Sequence, residues 1–407
     1  MRILMVTQWF NPEPMLKGLM FLDRLKERGH TIQVLTGFPN YPDGRIYPGF
    51  RQRLFHREDR NGISVIRTPL YPSHDANPLR RVANYSSFAL SSAFIGAFSI
   101  DPPDIIYVYN PPATASFPAI VIKALRRVPV LLEIQDLWPD TLGATGMMNN
   151  RLLLKVVDRW CKWTYRHASR IVVLSPGFKE MLVSRGVPQE KIEVIYNWCD
   201  EEKRILESVP DASLAREMGF NGRFNILYSG TMGKAQALAP VLSAAEILKD
   251  KIPEIRFVFV GPGVETEQLK KIAAAKKLGN VAFHPRRPVE KIGEVLKIAD
   301  VLLVHLKDDP LFRITIPSKI QAYLAAGRPI LAGVDGNAAA MVTEAGAGIT
   351  CTPESPESIA GAAETLFSMP ASRRKEMGEN GRKYYDRELS LERGVERYDA
   401  IFKGFGR

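Results

Sequence analysis

Hydroxyls at Thr231, Thr315 and Ser318, cations at Lys234, Arg313 and Lys319, and glycines at 230, 233, 261 and 263 fall in three short segments of this 407-residue chain. The segments are Ser229 to Gln236, Gly261 to Gly263 and Arg313 to Lys319. Glycines and helix starts present backbone N–H groups, and lysine and arginine supply charge partners, which is what the oxygens of a diphosphate require. One such loop means little, whereas three at successive strand ends are expected to form an anion cradle. The competing reading is that the cations only face solvent. Other chemistries lack their residues. No GxGxxG follows the apolar run Met1 to Thr7, and there is no GxxxxGK[ST], CxxC, HExxH, DxD or GxSxG.

Each segment follows an apolar run that reads as a buried strand: Phe224 to Tyr228, Ile255 to Val260 and Asp300 to His305. Helical patterns follow at Leu238 to Lys249 and Glu265 to Lys277. Ser318 to Ala326 reads as a helix that starts at Pro317 and Ser318 and stops at Gly327, before a strand from Pro329 to Ala332. The first half uses the same alternation. Met1 to Thr7 reads as a strand, Met15 to Arg28 as a helix and Thr31 to Thr36 as a strand; further strands are predicted at 63–67, 104–109, 128–134, 171–174 and 192–195. Alternating strands and helices of this kind predict two α/β domains, each with a parallel sheet covered on both faces. The polar stretch Glu201 to Arg223 marks the boundary, giving domains 1–200 and 201–389.

In the first half, Gln135 to Asp140 collects charged and aromatic residues where a predicted strand ends, which makes Asp136 a binding candidate. The alternative is that Trp138 and Pro139 only shape the turn while Asp140 caps a helix. The aromatics of Gly37 to Gly44 either hold a sugar ring or pack their own loop. Val82 to Ile100 is an uncharged stretch after Arg80 and Arg81, read as a core helix or as an amphipathic helix in the inner membrane face.

Three widely spaced cysteines fit reduced thiols rather than a disulfide framework. A formal net charge of +11 favours nucleic acid, an anionic membrane or a phosphorylated small molecule. Met1 to Thr7 runs into Gln8 to Pro12 without a cleavage-site pattern, so no secretory signal is expected.

Several stretches, in order, resemble glycosyltransferase family 4: Arg2 to Pro14, Arg28 to His30, Leu35 to Pro42, Asp136 to Pro139, Tyr228 to Gln236, Val260 to Gly263, and Pro317 to Lys319 with Gly327 to Pro329. The resemblance is nearest to the branch that builds bacterial O-antigen and capsule repeats, which includes transferases of N-acetyl-L-fucosamine. It implies the GT-B fold, with two Rossmann-like domains facing across a cleft, donor on the second and acceptor on the first, and a last helix (390–407) returning to the first. It further implies a UDP-sugar donor, retention of anomeric configuration and no metal. The basic net charge and the Val82 to Ile100 stretch motivate a lipid-linked saccharide acceptor at the cytoplasmic membrane, with no other cofactor and no nucleic-acid partner expected.

By the same resemblance, Lys234 or Gln236 meets the donor diphosphate, Arg286 or Arg287 lies by the base, and Ser318 and Lys319 lie beneath the phosphates. Gly18 permits close backbone approach to the donor. Two glutamates usual in the family are replaced by Ile314 and Ala322, and Gln321 is expected to accept a ribose hydroxyl instead. Lys234, Arg313 and Lys319 are expected to stabilise the departing diphosphate, with Asp136 or Asp140 orienting the acceptor. An epimerase of the same fold and a non-catalytic two-lobed binding protein are the alternative readings.

Overall fold

The computed structural model describes all residues except 75–76, 145–147, 149, 200–201 and 407. Backbone contacts divide it into two units: Met1–Ile195 with Val395–Arg407, and Tyr196–Gly394. The expected break between positions 200 and 201 falls outside the described residues.

The second unit holds a six-stranded, all-parallel sheet of β9 (Phe224–Ser229), β10 (Ile255–Val260), β11 (Val281–His284), β12 (Val301–His305), β13 (Ile330–Gly333) and β14 (Gly348–Thr350). Their spatial order is β11-β10-β9-β12-β13-β14. Alternate residues of one strand enter different cores: Val258 and Val260 pack on one face, Phe257 and Phe259 on the other. Burial on both faces explains why these strands read as continuous apolar runs, each such side chain contributing roughly 1.5–3 kcal/mol.

The chain order reverses between β9 and β12, and there an open α/β sheet has its crevice. The two strands pair only at Val301↔Ile226 and Leu302↔Leu227, so their carboxyl ends are not laddered together. Tyr323, from the helix Ser318–Ala326, serves the unpaired end instead. Its hydroxyl accepts from the Ser229 N–H at 3.0 Å and donates to the Ser229 carbonyl at 3.3 Å.

The first unit contains an eight-stranded sheet: β1 (Arg2–Val6), β2 (Thr31–Gly37), β3 (His56–Arg60), β4 (Ile63–Thr68), β5 (Ile105–Asn110), β6 (Val130–Ile134), β7 (Arg170–Val173) and β8 (Ile192–Val194). Its order is β3-β4-β2-β1-β5-β6-β7-β8, parallel except for the β3–β4 hairpin. The expected helix 15–28 is shorter, Leu19–Glu27, because Asn11 Oδ1 accepts from the Leu19 N–H at 2.8 Å and fixes the start there.

The uncharged stretch is helical from Pro78 to Ser91, a π turn from Ser92 to Gly96, and helical again to Ser99. Residues 151–167 carry no expected element, yet form a 17-residue helix capped by Asn150. The last helix, Leu391–Gly404, starts in the second unit and belongs to the first from Val395 onward.

A buried charge cluster ties that last helix into the first unit. Glu133, inaccessible on β6, takes hydrogen bonds from Lys17, Tyr107 and Gln135, and from the Tyr398 hydroxyl at 2.6 Å. Lys17 is equally buried, and that burial lowers its pKa against the opposing pull of Glu133.

Candidate active site

Lys319 lies in the first turn of the helix Ser318–Ala326, whose start carries no side-chain cap. Its Nζ sits 3.7 Å from the centroid of the Tyr228 ring and 3.3 Å from where a Cβ on Gly230 would be. That nitrogen is buried and has no hydrogen-bond partner among the described residues. Desolvation lowers the amine to about 7, and the ring face of Tyr228 stands against it. A buried cation donor without an acceptor, next to a glycine turn and an uncapped helix start, is a site prepared for an anion.

The loop after β9 is stacked on the loop after β10. The Met232 N–H donates to the Pro262 carbonyl at 2.8 Å, and the Met232 carbonyl accepts from Glu265 at 3.1 Å. Gly263 is required there: a Cβ would stand 1.9 Å from the Met232 carbonyl oxygen. The segment Lys234–Gln236 is a 3-10 turn that places Lys234 at an exposed tip. Gln236 uses its side-chain oxygen to accept from the Gly233 N–H at 3.0 Å, so that oxygen is engaged in closing the turn.

His305, at the end of β12, carries no functional expectation from sequence but fastens this region. Its Nδ1 is 2.8 Å from the Gln236 carbonyl, and its Nε2 accepts from the Glu354 N–H at 3.0 Å. These partners require the neutral ring with the proton on Nδ1, consistent with a pKa lowered by burial. Nothing local marks such a residue, because both partners are distant backbone atoms.

The remaining candidates divide. Ser318 and Thr231 are exposed beside the cradle, and the Tyr228 hydroxyl holds the Thr231 carbonyl at 2.6 Å. Thr315 donates its hydroxyl to Leu311 at 2.8 Å and so braces its own turn. Arg313 is exposed and already charge-matched, with Asp308 at 2.9 Å and Asp335 at 3.4 Å. Arg286 is exposed, while Arg287 pairs with Glu217 at 2.8 Å.

Gln321 departs from its expected role. It is buried, and its amide nitrogen, correctly oriented, donates back to the carbonyls of Pro317 at 2.9 Å and Ser318 at 2.8 Å. Helical spacing puts Gln321 on the core side of its helix rather than beside a ligand.

In the first unit, the Asp136 carboxylate meets no hydrogen-bond donor among the described residues, and burial raises its pKa. Asp140 instead pairs with Arg185. Around the carboxyl ends of β1 and β2, Trp9 and Tyr41 have ring centroids 4.6 Å apart, and Tyr41 and His74 4.7 Å. Gly18 closes against Asn11, whose Oδ1 would lie 2.3 Å from an added Cβ. Among the described residues, no group of three or more His, Cys, Asp or Glu side chains is placed to hold a metal ion.

A family model described as a glycosyl transferase 4-like domain matches residues 19–198, and one described as glycosyl transferases group 1 matches residues 214–384. The chain is similar to WcaI of Escherichia coli (strain K12), named for glycosyl transfer in colanic acid biosynthesis. The two are 27% identical over 311 residues, covering 74% of this chain and 75% of WcaI. It is also similar to WbjE of Pseudomonas aeruginosa, which bears a glycosyltransferase name, at 25% identity over 56% of this chain and 58% of that one. In structure it resembles HepE from Anabaena, solved in complex with UDP, with a TM-score of 0.71 and 15% identity over 99% of this chain and 100% of HepE. An alpha,alpha-trehalose-phosphate synthase (UDP-forming) from Burkholderia vietnamiensis gives a TM-score of 0.73 at 14% identity, covering 99% and 96%.

Proposed function

Since the chain belongs to the glycosyltransferases, a 4-like domain followed by a group 1 domain in the GT-B fold, we propose that it moves a sugar from a UDP-sugar to a lipid-linked saccharide, with retention and without a metal ion. The observation that carries the donor half is the buried, unpartnered Nζ of Lys319 beside Gly230. A diphosphate oxygen placed there completes the hydrogen bonding of Lys319 and restores its charge.

The chemistry follows from the groups present. As the sugar–phosphate bond breaks, negative charge builds on the diphosphate, and Lys319 with the exposed Lys234 stabilises it more in the transition state than in the ground state. The departing oxygen takes the proton of the acceptor hydroxyl on the same face of the sugar. Asp136, a partly buried carboxylate whose pKa is raised by desolvation, orients that hydroxyl. The donor sugar is an N-acetylated hexosamine, such as N-acetyl-L-fucosamine, and the product enters bacterial surface polysaccharide such as O-antigen or capsule. The resemblance of sequence motifs supports the sugar, and the colanic acid name of WcaI supports the surface-polysaccharide role. The enzyme works peripherally on the inner face of the cytoplasmic membrane.

A thermal-shift series with UDP, GDP, ADP and TDP tests the base, and labelled UDP-sugar with membrane extract tests the transfer. Stabilisation by UDP and label in the lipid fraction are expected. A shift with GDP alone would overturn the donor assignment, and release of an epimerised UDP-sugar without acceptor would replace transfer with epimerisation.

Two substitutions refine the site. Gly263→Ala forces the Met232 backbone aside and is expected to weaken UDP binding by roughly tenfold while the protein still folds, as read by calorimetric titration. Arg313→Ala is expected to change UDP affinity by less than about threefold, because its charge is already satisfied at the exposed surface.

A further inference from the structure

In the first unit, the helices Pro78–Ser91, Ser116–Arg126 and Arg151–His167 lie side by side. The Trp160 Nε1–H reaches the Ala113 carbonyl at 3.2 Å, the Trp160 and Phe117 rings stand 6.2 Å apart, and Lys123 donates to the His167 carbonyl at 2.6 Å. Nine of the seventeen large apolar side chains exposed among the described residues lie on these helices, the π turn that continues the first of them and the short helix Ala97–Ser99 that follows it. That concentration is not the scattered exposure normal for a protein surface.

The pattern is ordered. Leu79, Val82, Leu90, Phe94 and Phe98 form one stripe, with Phe94 64% and Phe98 74% exposed. The π turn from Ser92 to Gly96 carries the stripe on from Leu90 through Phe94 to Phe98. Its opposite side is buried through Phe88, Ala93 and Ala97. On the third helix, Leu152, Leu153 and Val156 are exposed, Leu152 at 73%.

Charge selects the occupant. These helices, with Arg127 just beyond the second, carry ten Lys and Arg residues and one acidic residue, Asp158, which is paired with Lys162 at 2.8 Å. No helix among the described residues is long and apolar enough to cross a membrane. We propose that this three-helix face docks on an anionic phospholipid surface, the helices lying in the headgroup plane with Phe94, Phe98 and Leu152 inserted and the cations against the phosphates. The inference rests on the membrane-linked acceptor of the proposed function and names the surface that reaches it.

Full-length protein is sedimented with vesicles of phosphatidylglycerol and phosphatidylethanolamine, and separately with phosphatidylcholine vesicles. Binding is expected to the anionic vesicles only and to weaken as salt rises. Phe94→Ser with Phe98→Ser, and separately Lys155→Glu with Arg159→Glu, should each lower partitioning roughly tenfold or more. Thermal unfolding and the UDP-induced shift serve as controls and should stay as in the parent. Equal binding by parent and variants, binding to neutral vesicles alone, or a face consumed by self-association in light scattering would each overturn the proposal. Loss of the UDP shift in the parent protein would instead strike the donor reading and leave vesicle binding standing.

Discussion

Replacing Lys319 by alanine should lower UDP affinity, and turnover with it, about a hundredfold or more, with thermal stability maintained or raised. The size follows from the setting: a charge-assisted bond to a diphosphate in a water-excluded place is worth several kcal/mol, and each 1.4 kcal/mol is tenfold. Among the described residues the nitrogen has no hydrogen-bond partner and faces the Tyr228 ring. Stability should not suffer, because removing the side chain also removes the cost of burying an amine.

Acidity provides a second signature. The Lys319 amine sits at about 7 in the folded protein against an ordinary 10.5, so between those values the unfolded chain keeps a proton that the folded one has released. Its contribution to stability is therefore full above 10.5 and falls away as pH drops toward 7. Nucleotide binding runs the other way, since a diphosphate favours the protonated amine. UDP affinity should decline by roughly tenfold per pH unit above about 7 until the pKa of the complex is reached. Calorimetric titration across that range, repeated with Lys319→Met, should find the slope abolished in the variant. A parent protein whose affinity is flat above pH 7 would refute the role of Lys319.

The second large effect concerns the fold. Glu133→Ala should destabilise the protein by about 3–5 kcal/mol, because it strands the Lys17 ammonium where water cannot reach it. In calorimetry the melting transition of the first unit should drop by on the order of 10 °C. Glu133→Leu combined with Lys17→Met should recover much of the loss, since removing both charges costs far less than removing one. If single and double variants melt together, the pair contributes little and the argument from desolvation fails.

What the sequence discloses follows from how far each signal must reach. Strands buried on both faces announce themselves as apolar runs, so β1, β9, β10 and β12 were legible, as was the alternation that makes two α/β units. Gly263, Ser318 and Gly327 revealed loops and helix ends because turns and caps are set by a few adjacent residues. Edge strand β3, His56–Arg60, escapes because charged residues blunt an exposed edge and erase the apolar pattern. The helix Arg151–His167 was missed although its pattern is strongly amphipathic and Asn150 caps its start, local signals that could have found it.

The site was half legible. Its loops were visible, but which cation is held without a partner was not, since Lys319 meets a ring 91 positions away at Tyr228 while Arg313 meets carboxylates close to hand. Gln321 shows the same limit, as its helix phase turns it inward however suitable its amide looks in the sequence.

The hydroxyl of Tyr398 on Glu133 also has a meaning in time. The two residues are 265 positions apart, and the whole second unit is synthesised between them. Domains emerging from the ribosome generally fold as they appear, first half first. Here the earlier half must wait, its buried Glu133 carboxylate lacking one donor and its Lys17 ammonium one facing ring, until residues near 398 have left the exit tunnel. The half that is made first is thus the one completed last, and a nascent chain stalled after the second unit would carry a finished partner beside an unfinished one.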